Sequence, residues 1–201
     1  MPRLDVDYRD FVQQTNRLMD LRLNIAPLQP RYQKLVAEVL FLRVFALLER
    51  TFESITVKIL CGAQYVDAST PFVMIAAGSA SEAQYNMTTV GRTKRLLYLK
   101  WTQASEIKKN ILHLIDPTDV FITTLNLNDS AVNEMRHVRN HIAHRTSSTR
   151  ARFKPIVRAY YGAYLNSITP GTLLLSQRWA PPIIDRYLTT ARILIRDLVR
   201  S

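Results

Sequence analysis

Arg139, Asn140 and His144 are the residues whose types and spacing could do chemistry in this chain. They stand in the run Arg-Asn-His-Ile-Ala-His, an Arg-Asn-x-x-x-His pattern inside a stretch of helical periodicity. A guanidinium stays charged at any ordinary pH and grips phosphate with two donors, while an imidazole exchanges protons near neutrality. Together they suit phosphodiester chemistry without a metal. The cation holds the phosphate and offsets the negative charge that builds on it, and the imidazole moves the proton.

The Arg–His pairing alone is cheap. With 20 Arg and 4 His, about one pair at a gap of four to six residues is expected by chance. A second is present, Arg136 with His141. Requiring Asn directly after the Arg, with 9 Asn in the chain, lowers the expected number of matches to roughly 0.02. The tighter pattern is therefore the informative one.

At about 100° per residue, Ala131, Met135, Val138 and Ile142 fall on one face of the motif helix and predict its core side. Asn133, Arg136, Arg139, Asn140 and His144 fall opposite, with small Ala143 and Ser147 between them. Arg139 and His144 diverge by about 140° around such a helix, so they flank a groove and do not point at one atom. Two copies related by a twofold axis would bring a pair of Arg and a pair of His around one phosphate, which predicts a composite site in a homodimer. Asp129 or Ser130 can cap this helix, which the pattern carries to about Ser148.

The elements around it read as helical almost throughout. Phe11, Leu18, Leu21 and Ile25 recur at helical spacing before Pro27 and Pro30. A second helix runs from Arg31 to about Cys61 with Gly62 as its stop, a span of about 45 Å. Residues 63–93 carry loop signals, including Asp67, Pro71, Gly78 and Gly91, and a connection this long is more often functional than plain. Helical periodicity resumes from Lys94 through Ile115, and Val120–Leu127 reads as a short extended run. A Tyr-rich helical piece follows Pro155, residues 169–182 form an irregular crossing, and a last helix runs from Ile183 to Arg200. Its Arg192, Arg196 and Arg200 make a basic stripe, a solvated face or an RNA contact. The fold class is all-α, a single domain over residues 1–201 built as a bundle of about five to six helices with one long irregular loop.

Composition narrows the partners. The formal net charge is +11, carried by 20 Arg against 7 Lys, a bias that favours nucleic acid over a merely charged surface. The start of the chain lacks the apolar run of a secretory signal. The most apolar stretch, Leu35 to Leu48, is broken by Glu38 and Arg43, so no membrane span is expected. The single cysteine, Cys61, forms no internal disulfide, and the chain is expected in the reducing cytoplasm. One Cys and four scattered His do not make a metal site, and no cofactor is called for.

The run from Val138 to His144 resembles the signature of the HEPN superfamily, helical-bundle ribonucleases of prokaryotic defence and toxin–antitoxin systems. Cys61-Gly62-Ala63 with Tyr65 and Asp67, and Ile168 to Gly171, are similar to stretches of HEPN proteins of this size. The resemblance implies a metal-independent endoribonuclease, active as a homodimer, acting on RNA such as tRNA or mRNA, with an antitoxin or a sensor/ATPase as partner. Carried over, Arg139 stabilises the phosphate, His144 transfers the proton and Asn140 orients them. The branch that is modified on a tyrosine two positions after the His is not matched, because this chain has Thr146 there.

Each residue keeps a plainer reading. Asn140 could be only a polar residue on the helix face, and Arg136 is a substrate phosphate contact or a solvated charge. His141 lies toward the core-facing edge and reads as structural, while His113 and His137 have no supporting partner. Glu38, Glu49 and Glu53 fall along one stripe of the long helix, as a salt-bridged face or as groups acting on a site. The alternative to a nuclease is a non-catalytic HEPN module that binds RNA or nucleotide as a subunit of a larger assembly. A third reading is a helical interaction protein whose motif helix only makes a dimer contact.

Overall fold

The chain opens with helix α1 (Asp5–Asn24), whose first turn carries Asp5 and Asp7 where the helix dipole favours acids. The computed structural model describes residues 2–24 and 27–200; Ile25, assigned to the first helix from its spacing, lies outside them. Pro30 then begins α2 (Pro30–Leu60), where its missing N–H costs nothing. Thirty-one residues without an internal Gly or Pro run on to Gly62, whose φ of +83° turns the chain out of the helix. The remaining helices are α3 (Ala80–Thr89), α4 (Ala104–Ile111), α5 (Val120–Leu127), α6 (Asp129–His144), α7 (Ser147–Tyr161), α8 (Pro170–Leu174) and α9 (Ile183–Leu198).

The protein is all-α: among the described residues there are nine helices and no strand, only two isolated bridges, Arg3 to Gln64 and Val73 to Ile115. The count exceeds the number of long periodic segments because α3, α4, α5 and α8 are ten residues or shorter. Among the described residues no helix is long and apolar enough to cross a membrane.

Several local expectations need correction. Val120–Leu127 is helical, not extended. Its β-branched residues are overruled by Asp119, whose carboxylate accepts from the Phe121 amide, and by burial of Phe121, Ile122 and Leu125. Residues 94–103 lie outside any helix; α4 begins only at Ala104. The motif helix stops at His144 and not near Ser148. Arg145 takes a left-handed φ of +45°, and Thr146 starts α7 with a capping box shared with Thr149. Helix α7 passes through Pro155, so Tyr160 and Tyr161 belong to the same helix as Ser147, while Tyr164 lies beyond its end at Gly162. The crossing at residues 169–182 contains α8, capped by Thr169 with Pro170 at its first position.

The described residues group into two compact units. The first takes residues 1–12, 48–132 and 192–201, and its core includes Phe11, Phe52, Ile55, Met87, Ile107 and Phe121. The stretch 63–93, expected as one long loop, contains α3. Its earlier part is tied by backbone bonds such as Ala77 to Leu60 and by Asp119, which accepts from the Tyr65 hydroxyl and from the Phe72 and Phe121 amides. Burial, then the charge of Asp119, pushes the Tyr65 phenol far above its ordinary value, so it stays a donor. Asp67 is a turn former, accepting from the amide and hydroxyl of Ser69.

The second unit takes residues 13–47 and 133–191 and carries the Arg-Asn-x-x-x-His run. Its core joins Phe41, Phe45, Val138, Phe153, Val157 and Leu173. Gly171 lies so close to α2 that a Cβ there would sit 2.6 Å from the Lys34 carbonyl oxygen, which explains a Gly at this position.

Candidate active site

Helix α6 positions the motif by burying Met135, Val138 and Ile142, three of the four residues that periodicity assigns to the core, together with Val132, while Ala131 is only half-buried. Its other side carries Arg136, Arg139 and Asn140, all half-buried, and ends in the exposed His144. Arg139 is held on two sides: its Nη1 donates to the Asn140 side-chain oxygen at 3.0 Å, and its guanidinium carbon lies 6.0 Å from the centre of the Phe45 ring. Asn140 thus orients Arg139. His144 is the last residue of the helix and makes no hydrogen bond to Arg139 or Asn140. Arg136, a turn earlier, has its Nε shielded from solvent. Ser147, placed on the motif face by periodicity, belongs to α7.

Three clusters lock this helix, two of them joining residues distant in sequence and the third joining it to the adjacent α7. Toward its start, Glu134 accepts from the hydroxyls of Tyr160 at 2.9 Å and Tyr187 at 2.7 Å on the same oxygen. Burial, followed by the charge of Glu134, pushes the Tyr160 phenol up to about 12 and raises that of Tyr187 as well. The tyrosines are visible in the sequence; their common acceptor is not.

At the far end, the buried Glu38 of α2 accepts from Arg145 at 2.8 Å and from the Gly171 amide at 2.9 Å. Glu38 therefore takes the salt-bridged role of the two read from its stripe. Glu53, on the same stripe, accepts from Gln84 at 3.4 Å.

The third cluster centres on His141, which is only 8% exposed and stacks at 4.9 Å on Phe153. Its Nδ1 lies 3.1 Å from the Thr149 hydroxyl, which itself donates to the Thr146 carbonyl. The ring borders a cavity of about 360 Å³ lined by Arg145, Arg150, Tyr164 and Asn166 among others. Burial, then Arg150 and Arg145, hold the His141 imidazole below its ordinary value, with Glu38 opposing. His137 is depressed likewise, by burial and by Arg136 and Arg152.

A depressed histidine stabilises the fold while neutral. That contribution is complete above the unfolded value of about 6.5 and is lost as pH falls through the lower folded value. Stability measured by urea unfolding is expected to decline between pH 7 and pH 5, and less steeply in His141→Gln. Identical slopes for the two proteins would count against this account of His141.

Thr146 has its hydroxyl engaged as the α7 cap, accepting from the Thr149 amide at 3.2 Å. Among the described residues no three His, Cys, Asp or Glu side chains converge in a metal-binding group. Cys61 is half-buried, and burial, then the charge of Glu82, raises its thiol.

Comparison with known proteins returned no matching family model, no matching curated protein and no matching solved structure.

Proposed function

We propose that this chain is a metal-independent endoribonuclease of a prokaryotic defence or toxin–antitoxin system, of HEPN type, working in the cytoplasm as a homodimer. The observation that carries the reading is the disposition of the motif. Arg139 is pre-oriented by Asn140 and Phe45, and five residues on, an exposed His144 ends the same helix. An excess of 11 positive charges suits a polyanionic substrate.

In the proposed reaction the ribose 2′-hydroxyl attacks the adjacent phosphorus, and the 5′-oxygen of the next nucleotide leaves. His144 of one copy takes the hydroxyl proton, and His144 of the second copy returns one to the leaving oxygen. Arg139 offsets the added charge on the phosphorane oxygens. The products are a 2′,3′-cyclic phosphate and a 5′-hydroxyl. Incubating the protein with labelled tRNA and with the matching DNA, both in EDTA, tests this. Cleavage of RNA alone, leaving cyclic phosphate ends, is expected; cleavage of DNA or dependence on a divalent ion would overturn it.

Dimerisation has its own support. Tyr32, Leu35 and Val39 are 45%, 55% and 47% exposed and recur at i, i+3 and i+7 on α2, an uncovered apolar stripe in the unit that carries the motif. Leu35→Asp with Val39→Asp is expected to give a monomer by sedimentation and to lose cleavage with it. A monomeric variant of full activity would remove the composite site.

A second reading, a non-catalytic RNA- or nucleotide-binding subunit of a larger assembly, is favoured by one observation: no hydrogen bond from the described residues fixes the tautomer of His144. RNA binding without cleavage in the assay above would select it, with an antitoxin or an ATPase as the partner to seek.

A further inference from the structure

The segment following α3 is a strap of basic and aromatic residues held in place by its backbone. Residues 90–103 contain Arg92, Lys94, Arg95, Tyr98, Lys100 and Trp101 and lie wholly in the first unit. The Leu96 amide donates to the Thr88 carbonyl at 3.0 Å, and the buried Asn110 donates to the Lys100 carbonyl at 2.9 Å. Arg92 bridges the ends of α3 and α4 by donating to the Met87 and Lys109 carbonyls, at 3.2 and 2.6 Å. The backbone is thus tied at several points while the side chains between them face water: Leu97 is 97% exposed and Tyr98 68%.

Two adjoining cavities of about 430 and 570 Å³ share Arg95, Leu97 and Tyr98. The first is lined by four cations, Arg92, Arg95, Lys100 and Lys109, against one acid, Glu106, which already pairs with Lys109 at 2.9 Å. The second carries one acid, Glu53, and there the Arg95 guanidinium lies 5.4 Å from the Tyr85 ring centre; the Lys100 ammonium of the first lies 6.0 Å from the ring centre of the shared Tyr98. Exposed rings beside a net excess of cations suit one kind of ligand: a strand that presents bare base faces and regularly spaced phosphates. A duplex hides its base faces, and an acidic peptide does not alternate rings with charges at a regular spacing as a single strand does.

We propose that this groove binds single-stranded RNA, with Tyr98 stacking on a base and Arg95 and Lys100 contacting phosphates on either side. The proposal rests on the reading of the chain as RNA-directed and adds a docking site outside the Arg139–His144 run.

The test uses full-length protein carrying His144→Ala, so that RNA survives, and a fluorescent 12-nucleotide single strand of mixed sequence with its duplex as control. The parent is expected to prefer the single strand. Tyr98→Ala is expected to weaken binding about tenfold, and Tyr98→Phe to restore it. Arg95→Ala with Lys100→Ala is expected to weaken binding at least about tenfold and to flatten the log–log salt slope by about 1.4, two phosphate contacts at about 0.7 each. Binding of these variants at parental affinity would overturn the groove, as would a parent that binds no RNA or a Tyr98→Ala effect confined to self-association. Cleavage by the protein with intact His144 is scored separately. Groove-dependent binding without cleavage retains the groove and removes the nuclease, whereas cleavage unaffected by the groove variants does the reverse.

Discussion

Arg139→Ala and His144→Ala are each expected to lower RNA cleavage at least about a hundredfold, with no change in helix content. Loss of a positioned proton donor or acceptor costs about 10²–10⁴ in rate, and loss of a pre-oriented charge facing the transition state costs a comparable factor. Neither change should unfold the protein. His144 is exposed at the end of α6, and Arg139 is half-buried, about 100° around that helix from Val138. Arg139→Lys should not rescue, because a single ammonium cannot reproduce the two-pronged contact with phosphate. Asn140→Ala is expected to fall between these and the wild type, since it acts through Arg139 by the bond at 3.0 Å. Product formation followed on a gel in EDTA checks the series, and a His144→Ala protein that cuts at the wild-type rate would end the proposed mechanism. Specific activity should also fall on dilution if both copies supply groups to one phosphate.

Glu38→Ala is expected to destabilise the protein by about 2–3 kcal/mol, from hydrogen bonds to a buried charge worth about 1.5–3 kcal/mol and the amide left without an acceptor. The carboxylate is 5% exposed and accepts from both the Gly171 amide and Arg145. Arg145 is itself 65% exposed, so the ion pair adds little and the amide contact carries most of the loss. Glu38→Gln, which keeps an acceptor of the same shape, should recover about half. Because Arg145 directly follows His144, loosening its anchor should also lower cleavage. The midpoint of urea unfolding measures the effect; a Glu38→Ala protein within about 0.5 kcal/mol of wild type would show that this contact is dispensable.

How much was legible beforehand differs from element to element. Helix α2 could be read because it has an unbroken period, a Pro at its first position and a Gly just beyond its end. The buried face of α6 could be read for the same reason. The run Val120–Leu127 could not, because its β-branched and aromatic residues favour a strand until the Asp119 cap and burial decide otherwise. Residues 94–103 have apolar spacing that suits a helix, yet Thr88 and Asn110 supply partners for their backbone from elsewhere in the fold. At the site, Arg139, Asn140 and His144 were visible as a pattern. The groups that hold their helix were not: Glu38 meets Arg145 and Gly171 across 107 and 133 positions, and Glu134 meets Tyr160 and Tyr187 across 26 and 53.

From sequence alone come the all-α class, the core face of α6 and the identity of the groups able to handle phosphate, because each rests on residue type and on a period of a few residues. Tertiary structure alone decides that His141 is a buried, singly bonded imidazole, that Glu38 clamps the end of the motif helix, and that a strap beyond α3 displays rings and cations together. Those outcomes depend on contacts between separate elements, near in sequence for His141 and the strap and distant for Glu38, which packing selects and local periodicity does not encode.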